Sequence, residues 1–247
     1  TAELALEFGV FNFIFSSSCT LYEVPEDGAA VNEEMPLCNP DSPYAATKSM
    51  GERMLQDIVR SNKEFKVLSL RYFNPIGAHE SGLIGELPQG KPNNLLPFIT
   101  QTAMGKLDEL TVFGNDYNTE DGTCIRDYVH VSDIAEAHVV GLQWLNGQLP
   151  GTQEVVNLGT GKGTSVIEMI ELFESVTGEK LPWKLGPRRK GDKEQIYADT
   201  KKAEHLLNWK SSRTIETALL DAWNWEQMLA DPFKLRRENA ERVLVFQ

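Results

Sequence analysis

Tyr44 and Lys48 stand four residues apart at the start of a stretch with helical spacing, so their side chains share one helix face, a turn apart. A phenol, with an unperturbed pKa of about 10, is a poor base at neutral pH. An ammonium held beside it favours the phenolate and makes it a usable acid–base catalyst. Tyr-x-x-x-Lys alone is also the pattern of a solvated helix face. What raises it above that reading is Ser18, at the end of an upstream apolar run. In a parallel sheet the C-terminal strand ends face the ligand crevice, so a hydroxyl there can relay a proton between a substrate and the tyrosine. A second group, Arg188-Arg189-Lys190, offers guanidinium forks that match phosphate oxygens, although such a run is also an ordinary solvated charge cluster. Gly159-Thr160-Gly161-Lys162-Gly163-Thr164 imitates a phosphate loop but matches neither GxxxxGK[ST] nor GxGxxG, and reads as a turn. His130, in an apolar strand, reads as a packed core histidine.

These groups need elements to place them. Residues 1–8 read as the end of a helix closed by Gly9. The apolar run 10–15 predicts a strand buried on both faces, which belongs to a parallel sheet with crossover helices. No upstream residues supply its neighbours, so the sequence reads as cut from the middle of an α/β domain. A polar, proline-bearing loop (23–43) leads to a helix over 44–62 whose apolar face is Met54, Leu55, Ile58 and Val59. A strand is predicted at 65–72, then an ordered loop at 80–94 of the kind that carries function. A helix over 95–105, a strand at 110–113 and a loop at 115–123 follow. Ser132 is the expected N-cap of the next helix, with Asp133 and Glu136 at its positive end. After a strand at 154–158, Ser165-x-x-Glu168 fits a capping box.

Composition narrows the possible partners. With 24 basic and 36 acidic residues the formal charge is −12, against nucleic acid or an anionic membrane as partner. An anionic small ligand stays possible if local arginines and backbone amides hold it. No stretch approaches the roughly 20 apolar residues of a membrane span. Cys19, Cys38 and Cys124 are odd in number and in no CxxC spacing. That argues against a disulfide framework or a metal site, and fits a cytoplasmic setting.

Longer strings carry a resemblance. Phe15-Ser16-Ser17-Ser18-Cys19-Thr20-Leu21-Tyr22, Ser42-Pro43-Tyr44-Ala45-Ala46-Thr47-Lys48 and Leu70-Arg71-Tyr72-Phe73-Asn74-Pro75-Ile76-Gly77-Ala78-His79 resemble the extended, sugar-nucleotide branch of the short-chain dehydrogenase/reductase superfamily. Pro92-Asn93-Asn94-Leu95-Leu96-Pro97, Val112-Phe113-Gly114-Asn115-Asp116-Tyr117, Glu120-Asp121-Gly122-Thr123 and Arg126-Asp127-Tyr128-Val129-His130-Val131 narrow it to the UDP-glucose 4-epimerase family. The resemblance implies a partial Rossmann-like, doubly wound parallel sheet with a smaller mixed α/β substrate-binding domain. Residues 1–73 would belong to the dinucleotide-binding domain. Residues 74–247 would form mainly the UDP-sugar-binding domain, with segments returning to the first. It implies NAD as cofactor, a UDP-sugar substrate and a homodimer packed through the Tyr44 helix. Tyr44 would be the base, Lys48 would tune it and bind the nicotinamide ribose, and Ser18, with Thr20, would assist proton transfer. Phe73 would lie against the cofactor. Asn74, Asn94, Leu95, Thr111, Val112, Phe113, Arg126, Arg189 and Asp192 would hold uridine and pyrophosphate.

Some positions depart from that pattern. Cys19 and Glu23 stand where alanine and glycine are usual, and Ala45 where glycine is. Ile196 stands near the sugar's 2-position, where a side chain smaller than tyrosine implies tolerance of N-acetyl sugars. The family's glycine-rich loop and acidic ribose ligand have no counterpart here, so this chain by itself is expected to bind NAD weakly and to fold poorly. Two rivals are a 4,6-dehydratase and a cofactor-less nucleotide-sugar-binding module. The first needs an acidic pair where Cys19 and Thr20 stand. The second is disfavoured by Ser18, Tyr44 and Lys48 occurring together.

Overall fold

The structure, a computed structural model, describes residues 1–25 and 28–231. Helix α1 (Ala2–Glu7) turns at Gly9 into strand β1 (Asn12–Ser18). Helix α2 (Pro43–Ser61) leads to β2 (Lys66–Tyr72), parallel to β1 with Ser18 opposite Tyr72. The chain then leaves this sheet through β3 (Asn74–Ile76), α3 (Leu95–Ala103), β4 (Leu110–Phe113), β5 (Ile125–Arg126) and β6 (Tyr128–His130). It returns by α4 (Val131–Asn146) to β7 (Gln153–Leu158), giving the parallel order β1-β2-β7. The remaining elements are β8 (Thr164–Ser165), α5 (Val166–Thr177), β9 (Trp183–Gly186), β10 (Gln195–Ile196), α6 (Lys201–Leu207) and α7 (Ile215–Ala230).

Strand alternation explains the layers. Phe13, Phe15 and Val67 point to one face and meet Leu55 and Val59 of α2 and Leu6 of α1. Ile14, Leu68 and Leu70 point to the other and meet Ile134, Ala137 and Leu145 of α4 and Leu207 of α6. Helices on both faces of a parallel sheet make this a doubly wound α/β arrangement. Each fully buried leucine or valine contributes about 1.5–3 kcal/mol, which is what fixes α2 to the sheet. A second core gathers Leu96, Ile99, Val112, Phe173, Leu219 and Trp223 from α3, β4, α5 and α7. Its strands pair in parallel, β3 with β6 and β4 with β9. The two systems part at one peptide: Phe73 N–H donates to Leu158 of the first sheet, and Asn74 N–H donates to Asp127.

Three expectations need correction. The first strand lies at Asn12–Ser18, later than 10–15, and forms an edge of the described sheet. Its phenylalanines are therefore half-buried, and Val10 and Phe11 are exposed. Met54 is exposed because α2 meets the sheet through its 51–55–59 face, where Gly51 lies against the Phe15 ring with no room for a Cβ. The N-cap of α4 is His130, whose Nδ1 accepts from Ser132 N–H at 3.0 Å. The helix follows β6 directly, so the imidazole reaches the free amide first. His130 is buried, as expected, and its Nε2 lies 3.1 Å from Asp221. The capping box of Ser165 and Glu168 forms in both directions, and Gly178 (φ 77°) closes α5 in the left-handed conformation.

Asp133 lies in the first turn of α4, as expected, and in addition it is fully buried and organises the turn before α7. Its carboxylate accepts from Ser211 Oγ (2.8 Å), Ser212 N (3.0 Å), Arg213 N (3.0 Å) and Arg213 Nη1 (2.5 Å). Burial alone would push this carboxyl up, but the hydrogen bonds outweigh it and hold it below the usual carboxylate range. A folded-state value below the unfolded one gives stability that is present above about pH 4 and lost as pH falls. Asp133→Asn is expected to lose about 2–4 kcal/mol in urea denaturation at neutral pH. The gap to the parent protein should close as the pH is lowered below about 4.

Candidate active site

Ser42 caps α2 by accepting from Ala45 N–H at 3.2 Å, and Pro43 occupies the first turn, so the helix begins just before Tyr44. This start sets Tyr44 and Lys48 on the first two turns, beside the C-terminal end of β1. The Tyr44 ring is exposed, and the Lys48 ammonium lies 5.3 Å from its centroid. Lys48 Nζ donates to Ser16 O at 2.8 Å and also lies 5.6 Å from the Phe15 ring. The cation is thus seated between the strand end and the phenol ring. Ser18 is buried at the end of β1 and caps a single 3-10 turn. Its Oγ accepts from Thr20 N (3.2 Å) and Thr20 Oγ1 (3.0 Å). Cys19 between them is buried, and burial pushes its thiol up to about 12, which excludes it as a nucleophile at neutral pH.

Behind this face lies a buried ion pair that the sequence reading missed. Glu52, one turn beyond Lys48, accepts from Arg71 Nε (2.9 Å) and Nη2 (2.6 Å) and from Ser17 Oγ (2.5 Å). Arg71 is buried and its guanidinium also stacks 4.7 Å from the Tyr22 ring. Two signals for it exist in the sequence. Residues 44, 48 and 52 form one helical stripe, and an arginine inside an apolar strand needs a partner.

The other expected residues fall into two groups. Arg189 Nη2 and Nε reach Asp192 at 2.8 and 3.2 Å, and Arg126 Nη2 lies 3.8 Å from the same carboxylate. Phe113 is exposed with the Arg189 guanidinium 5.9 Å from its ring; Thr111 is half-buried, and Val112 points into the second core. Arg188 is diverted from this group: it binds Asp116 at 2.6 Å and stacks 4.0 Å from Tyr117. Lys193 Nζ donates to Tyr22 O at 2.7 Å, joining this cluster to the segment after Ser18. Asn94 instead donates to Glu86 at 2.8 Å at the start of α3, and the adjacent Leu95 packs against the second core. Phe73 and Ile196 are buried together with Cys19 and Tyr22, and Asn74 is half-buried beside them in sequence.

The glycine-rich turn holds an internal anion. Asp127, fully buried, accepts from Thr160 N (2.8 Å), Thr160 Oγ1 (2.7 Å) and Gly161 N (3.1 Å), and from Ala198 N at 3.1 Å. Its carboxylate occupies the place a phosphate would take in such a turn, and a Cβ at Gly159 would collide with it. Asp127 therefore pins the backbone next to Arg126. Among the described residues no cluster of histidine, cysteine or acidic side chains could hold a metal ion. No helix there is long and apolar enough to cross a membrane.

A doubly wound parallel sheet, with serine at one strand end and tyrosine and lysine on the following helix, defines an α/β protein of the short-chain dehydrogenase/reductase kind. The chain belongs to the NAD dependent epimerase/dehydratase family, whose profile matches residues 2–159. It is 50% identical over 223 residues to a UDP-glucose 4-epimerase of Cyamopsis tetragonoloba, covering 90% of this chain and 63% of that protein. The chain therefore spans less than two thirds of that relative's length. Among solved structures it resembles the UDP-glucose 4-epimerase of Stenotrophomonas maltophila with bound NAD and formylated UDP-arabinopyranose. There the identity is 42%, the TM-score 0.89, and the match covers 93% of this chain and 67% of the other. The UDP-Glc/GlcNAc 4-epimerase of Campylobacter jejuni matches at 38% identity and a TM-score of 0.75, covering 92% of this chain and 67% of the other.

The Glu52–Arg71 pair yields a direct test of what holds α2 in place. Glu52→Ala strands a buried guanidinium and should cost about 3–5 kcal/mol in urea denaturation. The double variant Glu52→Leu with Arg71→Met should recover most of that loss, since it removes both charges.

Proposed function

We propose that the protein interconverts UDP-glucose and UDP-galactose with NAD as cofactor, through a 4-keto sugar. The observation that carries this reading is the Tyr44–Lys48 pair, with the phenol exposed, at the start of α2 beside the strand end that holds Ser18. The residues fit the nicotinamide and ribose end of NAD, because the Lys48 ammonium and the phenol open onto the strand ends where such a ligand lies. The glycine-rich turn does not serve its pyrophosphate, because Asp127 fills it. When bound, NAD supplies the hydride acceptor and the returning donor. Tyr44 removes the proton from the sugar's 4-hydroxyl, Ser18 and Thr20 relay it, and Lys48 favours the phenolate that this requires. The proton then returns from Tyr44 to the 4-oxygen on formation of the epimer. Arg126 and Arg189 would bind the diphosphate, and Asp192 the uridine ribose, giving local cationic forks in a protein of charge −12.

A homodimer formed across α2 is part of the same reading, supported by Met50 and Met54 on its outer face at 58% and 64% exposure. Met54→Glu should then sediment as a monomer where the parent protein sediments as a dimer.

The proposal is tested by following anomeric protons of UDP-galactose by NMR with NAD added, using the protein at its full natural length. Conversion to UDP-glucose without external reductant is expected, and Tyr44→Phe should lower kcat by about 10²–10⁴ with little change in substrate KM. Binding of UDP with no conversion would refute the epimerase. In the same assay UDP-N-acetylglucosamine should also turn over, because Ile196 leaves more room than tyrosine. Rejection of the acetylated sugar would remove that part of the proposal.

A further inference from the structure

Three side chains outside these assignments meet at the ends of β1 and β2. Tyr72 Oη lies 2.8 Å from Ser16 Oγ and 2.7 Å from His138 Nε2. His138 Nδ1 lies 2.8 Å from the carbonyl oxygen of Ile134, one turn earlier on α4. A carbonyl oxygen only accepts, so Nδ1 carries the ring proton. In the neutral imidazole Nε2 is then a lone pair, and Tyr72 donates to it. The Tyr72 hydroxyl is also the donor toward Ser16 Oγ, so its one proton is shared between Ser16 and His138 Nε2. Burial pushes the Tyr72 phenol above its ordinary range, and Tyr44 nearby adds to this, so Tyr72 keeps the proton that the chain of bonds needs. Tyr72 thus links Ser16 to His138, and His138 to the α4 backbone.

The other end of Ser16 is where Lys48 sits: its carbonyl accepts the ammonium at 2.8 Å. Ser16 is exposed, and its side-chain tether to Tyr72 restrains the part of β1 that carries this carbonyl. We propose that Tyr72 and His138 are positioning residues, which through Ser16 fix the carbonyl that seats the Lys48 ammonium, with His138 held as the Nδ1–H tautomer. The inference rests on the proposed function only for its catalytic meaning, namely that Lys48 is the cation beside Tyr44.

Side-chain NMR of the chain labelled with ¹⁵N in lysine and histidine reads both ends without relying on turnover. The His138 ring is expected as the Nδ1–H tautomer. Tyr72→Phe and His138→Leu should shift the Lys48 Nζ signal and speed exchange of its ammonium protons severalfold. Thermal midpoints should stay within about 2 °C of the parent protein. His138→Gln, whose amide oxygen can take the Tyr72 proton, should restore the Lys48 signal, which a bulk structural defect would not allow. Should the leucine variant fail to fold, Ser16→Ala breaks the same tether at the surface and carries the same expectation. An Nε2–H tautomer, or a Lys48 signal unmoved in Tyr72→Phe and Ser16→Ala, would overturn the proposal. In an active enzyme the same variants should lower kcat about tenfold at constant substrate KM. A displaced Lys48 signal in a protein without epimerase activity supports the positioning role and refutes the proposed function alone.

Discussion

The hydrogen-bonded ion pair of Glu52 and Arg71 is the constraint on which the arrangement of the site depends. Burying an arginine is costly unless its donors are met, and here two of its nitrogens are met by one carboxylate from the helix above. Because Glu52 also accepts from Ser17, the same carboxylate ties α2 to β1 and β2 at once. Apolar contacts under Leu55 and Val59 hold the helix against the sheet but are non-directional, so they leave some freedom to slide or roll. A bidentate pair has direction, and one turn of helix separates it from Lys48. The placement of the half-buried cation and the exposed phenol thus follows from a charge that neither of them touches.

The three consecutive serines of β1 show how one strand end can serve several partners. Side chains alternate across a strand, so Ser17 faces α2, as Phe13 and Phe15 do, while Ser16 and Ser18 face the other way. Ser17 meets Glu52, Ser16 meets Tyr72, and Ser18 turns onto Thr20. Bulkier residues would fill this end of the strand and close the crevice, and residues without hydroxyls would leave the carboxylate and the phenol short of partners.

Much of this was legible in the sequence where the signal is local. The capping box at Ser165, the turn nature of 159–164 and the helix start before Tyr44 are set by residues a few positions apart, and all are found. What was not legible depends on long-range meetings. Asp133 looks like an acidic residue favouring a helix start, but the loop at 211–213 folds onto it and buries it. Ser132 loses the cap to His130 because the turn between β6 and α4 is too tight for the usual choice. Met54 follows the apolar pattern of its helix, yet the sheet below reaches only as far as the Gly51 side of that face. The roles of Asp127 and His138 have no local pattern, since each is defined by backbone groups and a phenol that other elements bring to it.

Asp127 also shows why a motif by itself misleads about ligands. A turn rich in glycine between strand and helix exposes backbone N–H groups, and those groups attract any anion that can reach them. Here the acid is built in, and burial pushes its carboxyl above the usual range although four hydrogen bonds work against that. An enclosed carboxylate makes that turn rigid and no longer a docking place, and its neighbour Arg126 is thereby held at a fixed height beside Asp192. Arg189 meets the same Asp192 carboxylate, so both guanidinium groups gather at that acid. A single buried acid thus closes one anion site and pins the backbone that carries the neighbouring arginine.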